Sequence, residues 1–117
     1  MTYPTINEYL EAIQVPGSLS DQSLKAGKVA TDSRGIPIVL GGGFALTFMV
    51  TSVGRKFAVR CFQKQSANIE ERYRKIGETL SQIKNGCFVE FEFQPQGIRV
   101  NSRQYPVVKW RGQRAQH

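Results

Sequence analysis

The stretch Ile36-Pro37-Ile38-Val39-Leu40-Gly41-Gly42-Gly43-Phe44-Ala45-Leu46-Thr47-Phe48-Met49-Val50-Thr51-Ser52-Val53-Gly54-Arg55-Lys56-Phe57-Ala58-Val59-Arg60-Cys61-Phe62 decides the fold. It is rich in β-branched and aromatic residues and is punctuated by glycine, the pattern of strands joined by turns. Ile36 to Leu40 reads as an extended segment, and Gly41-Gly42-Gly43 interrupts it. Phe44 to Thr51 resumes as a strand, Ser52-Val53-Gly54-Arg55 turns, and Lys56 to Phe62 returns. Along the last segment Val59 and Cys61 point one way and Arg60 the other, which makes Cys61 a buried, inert thiol rather than a reactive one.

Outward from this hairpin the chain alternates between helix and strand signals. Upstream, Thr5 and Glu8 have capping-box spacing, Ile6, Tyr9, Leu10 and Ile13 share a helical face, and Pro16-Gly17 ends the helix. A single helical turn follows Ser20 or Asp21, and from Lys28 the texture becomes extended, with Asp32-Ser33-Arg34-Gly35 as a turn. Downstream, Asn68 and Glu71 cap a long helix whose stripe is Ile69, Tyr73, Ile76, Leu80 and Ile83, closed by Asn85-Gly86. Cys87, Val89, Phe91 and Phe93 then alternate with Glu90, Glu92 and Gln94 as a half-buried strand. Pro95-Gln96-Gly97 turns, Ile98 to Val100 extends, Asn101-Ser102 turns, and Tyr105 to Trp110 forms a last strand. The expected fold is α+β: an antiparallel sheet of about five strands with one long helix packed on it, plus a short N-terminal helix. Residues 1–27 are expected as a helical extension, 28–110 as the domain and 111–117 as a polar basic tail.

Composition excludes several functions. The chain has 117 residues, with 16 basic and 9 acidic side chains and a net charge of +7. That length supports one modest core, not two lobes with a cleft between them. Cys61 and Cys87 have no CxxC spacing and the single histidine is His117, so neither a zinc site nor a histidine-based triad can be assembled. No signal peptide is evident, and the longest apolar stretch, around Gly43 to Val50, is far short of a bilayer span, so no membrane partner is expected. A reduced, cytoplasmic location is the default. Arg99, Arg103, Lys109, Arg111 and Arg114 lie in a C-terminal stretch without acids, interleaved with Tyr105 and Trp110. Such a stretch is either a solvated face or a surface for nucleic acid or an acidic partner.

The glycine run between two strands is either a bent hairpin or a loop whose N–H groups approach an anion. A Walker loop is excluded, because no Gly-Lys-Ser/Thr follows. The segment Gly42-Gly43-Phe44-Ala45-Leu46-Thr47-Phe48 resembles the glycine loop of protein kinases. Phe57-Ala58-Val59-Arg60 resembles the family's third strand, and Tyr105-Pro106-Val107-Val108-Lys109 the strand entering the hinge. Over residues 28 to 110 the order of elements is similar to the small N-terminal lobe of a protein-kinase-like domain.

The resemblance implies phosphate approach at Gly41, Gly42 and Gly43, an adenine roof at Ala58 and phosphate charge at Arg60, with ATP as the weakly bound cofactor. Arg60 stands where the family has lysine, Thr47 where it usually has valine, and Ile76 where it has the helix glutamate, leaving Glu71 and Glu78 as substitutes. No His-Arg-Asp or Asp-Phe-Gly motif occurs, and no metal ligands are identifiable. The expectation is therefore an isolated or truncated N-lobe that transfers no phosphate by itself. Its partner would be a larger lobe, or a second copy through the hinge side. The alternative is a small basic adaptor module that docks on nucleic acid or an acidic protein.

Overall fold

The structure, a computed structural model, describes residues 3–42, 44–64, 69, 71–75 and 91–111. The described elements run α1 (Ile6–Ile13), α2 (Gln22–Lys25), β1 (Lys28–Val29), β2 (Val39–Gly42), β3 (Ala45–Ser52), β4 (Arg55–Phe62), β5 (Phe91–Val100) and β6 (Arg103–Arg111). The strands form one six-stranded antiparallel sheet in the order β1-β3-β4-β6-β5, with β2 also paired to β3. The α+β class and the antiparallel sheet agree with the sequence. Of the expected long helix, residues 69 and 71–75 are helical, and the rest of its stripe lies outside the described residues.

Strand alternation divides the side chains between two faces. On one face Leu46, Phe48, Val50, Phe57, Val59, Cys61, Ile98, Val100, Tyr105 and Val107 form a single buried cluster with α1 and α2. The capping box that starts α1 is complete: Thr5 N–H donates to Glu8 Oε1 at 2.8 Å, and Glu8 N–H to Thr5 Oγ1 at 3.3 Å. Its apolar side delivers Tyr9, Ala12 and Ile13 to the sheet. The hydroxyl of fully buried Tyr9 donates to the Phe62 carbonyl at 2.6 Å, which satisfies a group that would otherwise be costly to bury. Residues 3–27 therefore cover the sheet as part of the same core, each fully buried large apolar side chain contributing about 1.5–3 kcal/mol.

Two local readings are corrected. Gly41 and Gly42 do not interrupt the strand. They belong to β2, opposite Leu46 and Ala45, with Gly41 at φ +86°. Pro95-Gln96-Gly97 does not end a strand either; β5 runs through it with a register irregularity between Gln94 and Ile98. Pro95 is tolerated because β5 is a sheet edge, where a missing N–H breaks no ladder. Strands β1 and β2 share the edge of β3, the first beside Val50 and Thr51 and the second beside Ala45 to Phe48. Between them residues 31–37 loop outward as a hairpin bridged by Thr31 and Pro37, whose Asp32 carboxylate accepts the N–H groups of Arg34 and Ile36.

Candidate functional site

The second face carries the residues singled out for chemistry. Cross-strand registers set them in rows. Gly42, Ala45 and Phe62 form the row beside the glycine turn. Leu40, Thr47, Arg60, Val108 and Phe93 form the next. Met49, Ala58 and Trp110 form the third. Neighbours within a row are one strand spacing apart across the sheet, about 4.8 Å, and successive rows, related as i and i+2 like Ala58 and Arg60, are about 7 Å apart along it.

The face is covered unevenly. Near the glycine turn, Ala45, Phe62, Ile69 and Val108 are buried together. The Phe62 ring meets Phe44 and Tyr73 edge-on, at 5.9 and 5.5 Å between centroids. Away from that cover Leu40 is 52% exposed, Thr47, Met49, Arg60 and Trp110 are half-buried, and Ala58 is buried. The boundary between the covered and open parts runs through Arg60. Among the described residues its buried Nε has no hydrogen-bond partner and its side chain forms no ion pair. A buried guanidinium N–H left unmatched is costly, and an anion would satisfy it.

The sheet brings Gly41, Gly42, Ala58 and Arg60 to one region, and Gly43 lies outside the described residues. A side chain at Gly41 would put its Cβ 3.2 Å from the Ala45 carbonyl, and its φ of +86° suits glycine. Glu71 is exposed at the start of its helical segment, while Ile76 and Glu78 lie outside the described residues. Among the described residues no cluster of three or more His, Cys, Asp or Glu could hold a metal ion, and no helix is long and apolar enough to cross a membrane.

The basic C-terminal stretch is divided rather than continuous. Arg99 and Arg103 are exposed, but Lys109 is committed inward. Its Nζ lies 2.7 Å from Asp21 Oδ2, with only 13% of either side chain exposed, and 3.6 Å from Glu92. It also sits 5.3 Å from the centre of the Phe57 ring. Gln94 Nε2 donates to the same Asp21 oxygen at 2.6 Å, and the Ser23 N–H to the other at 2.8 Å. Burial pushes the Asp21 carboxyl upward, but donation from Lys109, Ser23 and Gln94 outweighs it and holds the group well below the usual carboxylate range. Sequence reasoning missed this anchor, because 88 positions separate Asp21 from Lys109 and no local pattern joins them. It also singled out neither Met49 nor, for this face, Trp110, although register alone sets both beside Ala58.

Comparison with protein-family models, with curated proteins and with solved structures finds no match to this chain.

Proposed function

We propose that the second face, bearing Gly42, Ala58 and Arg60 and flanked by Gly41 in β2, is a nucleotide half-site of the protein-kinase N-lobe kind, binding ATP weakly and transferring no phosphate by itself. The observation that carries the reading is the buried, unpartnered Nε of Arg60, one row from the glycine turn on the same face. An anion placed there would pair with the guanidinium close to the end of β2, which suits a phosphate. The base would lie one row further on, against Met49, Ala58 and Trp110. Half a cleft covers one side of its ligand, so binding is far weaker than in an enclosed pocket. The exposed row Ile36, Ile38 and Leu40 would then meet a larger lobe or a second copy.

Titrating ATP into the chain while following backbone amides by nuclear magnetic resonance tests the proposal. Shifts concentrated in residues 41–45 and 58–60 are expected, with Arg60→Met weakening binding about tenfold or more. Absence of shifts at millimolar nucleotide, or an Arg60→Met response equal to the parent's, rejects the reading.

A further inference from the structure

The opposite end of β3 carries an unrelated feature. The β3–β4 hairpin turns through Val53 and Gly54, both at positive φ (53° and 75°), and is closed by the Ser52–Arg55 pair. Two consecutive left-handed residues make a type I′ turn, whose first position favours asparagine, aspartate or glycine. A β-branched residue there is strained, because its Cβ crowds the carbonyl that follows. No packing compensates: Val53 is 90% exposed, the most exposed large apolar residue described. At this position valine serves neither the turn nor the core.

Its surroundings are cationic. Lys28 stands opposite Thr51, and Thr51 opposite Lys56, so two lysines flank one threonine on the same face. Arg55 lies on the other face beside the turn. Gly27 abuts Val50, Thr51 and Ser52, which brings the end of α2, with Lys25, to the same end of the sheet. All four cations are exposed, and among the described residues none takes part in an ion pair.

We infer that this hairpin tip docks on an anionic lipid surface, with Val53 entering the headgroup boundary and Lys25, Lys28, Arg55 and Lys56 meeting the phosphates. An apolar residue projecting from a ring of cations matches the layering of such an interface. Nucleic acid fits less well, since residues 51–56 offer no aromatic ring on which a base could stack. The contact is with headgroups and involves no crossing. It stands apart from the nucleotide reading, because the eight residues of β3 separate this tip from the glycine turn by about 25 Å.

The test is co-sedimentation of the full chain with vesicles of phosphatidylcholine alone or mixed with phosphatidylserine, with thermal melting alongside. Binding is expected only with phosphatidylserine and should weaken as salt rises. Val53→Asn should melt higher than the parent, as the turn is relieved, yet bind about tenfold more weakly. The double variant Arg55→Glu, Lys56→Glu should bind about a hundredfold more weakly or not at all. Equal binding by Val53→Asn, no rise in its melting temperature, or no preference for phosphatidylserine overturns the proposal. So does oligothymidylate binding that is tighter than vesicle binding and indifferent to Val53→Asn.

Discussion

At the scale of single residues, burial decides reactivity. Cys61 is free and fully buried, and the desolvation of its thiolate pushes the thiol far above the usual range. In a Cys87→Ser background, Cys61 is expected to resist a disulfide reagent in the native protein and to react at once in denaturant. Rapid native labelling would contradict its burial. Asp21 titrates in the opposite direction. Its folded pKa lies below the unfolded value near 3.8, so its contribution to stability is complete above about pH 4 and is lost as the pH falls further. Asp32, held low by the backbone N–H groups of Ile36 and Arg34, shares that window. Urea midpoints measured from pH 6 downward should decline below about pH 4, and Asp21→Asn should flatten part of that decline. An unchanged profile would show that the Lys109 contact contributes nothing. Lys109→Met, which strands the buried carboxylate, is expected to cost about 3 kcal/mol at neutral pH, read from the same denaturation curves.

At the scale of elements, legibility followed locality. The α1 capping box, the Val53-Gly54 turn and the alternation of Val59, Arg60 and Cys61 all depend on neighbours within four positions, and each is present as read. Elements whose ends depend on distant partners were misread. Gly41 and Gly42 look like breakers in isolation, but the ladder offered by Leu46 and Ala45 holds them in β2. Pro95-Gln96-Gly97 looks like a turn, but pairing on both sides of it with β6 carries β5 through. The site shows the same division. Arg60 was legible as a cation on a strand beside a glycine turn. Its neighbours Met49 and Trp110 share that face with it only through the register of three strands, which no single segment encodes.

At the scale of the whole molecule, the N-terminal segment is inseparable from the sheet. Tyr9, Ala12, Ile13, Leu19 and Leu24 are buried in one cluster with Phe48, Val59 and Val107. Deleting residues 1–27 should therefore abolish cooperative thermal unfolding and create strong binding of an apolar dye, since it would bare a whole sheet face. A truncated chain that melted cooperatively would contradict this. The same segment also guards an edge: Leu19 bridges to Ile98, Ser20 N–H donates to the Gly97 carbonyl, and Arg99 N–H to that of Ser18. These bonds tie residues 18–20 to residues 97–99, far apart in sequence. A ribosome makes the chain in one direction, so α1 and Leu19 wait, with their apolar side chains uncovered, until β5 and β6 have left the exit tunnel. The core closes only once β5 and β6 are available, and until then residues 3–27 are open to chaperones.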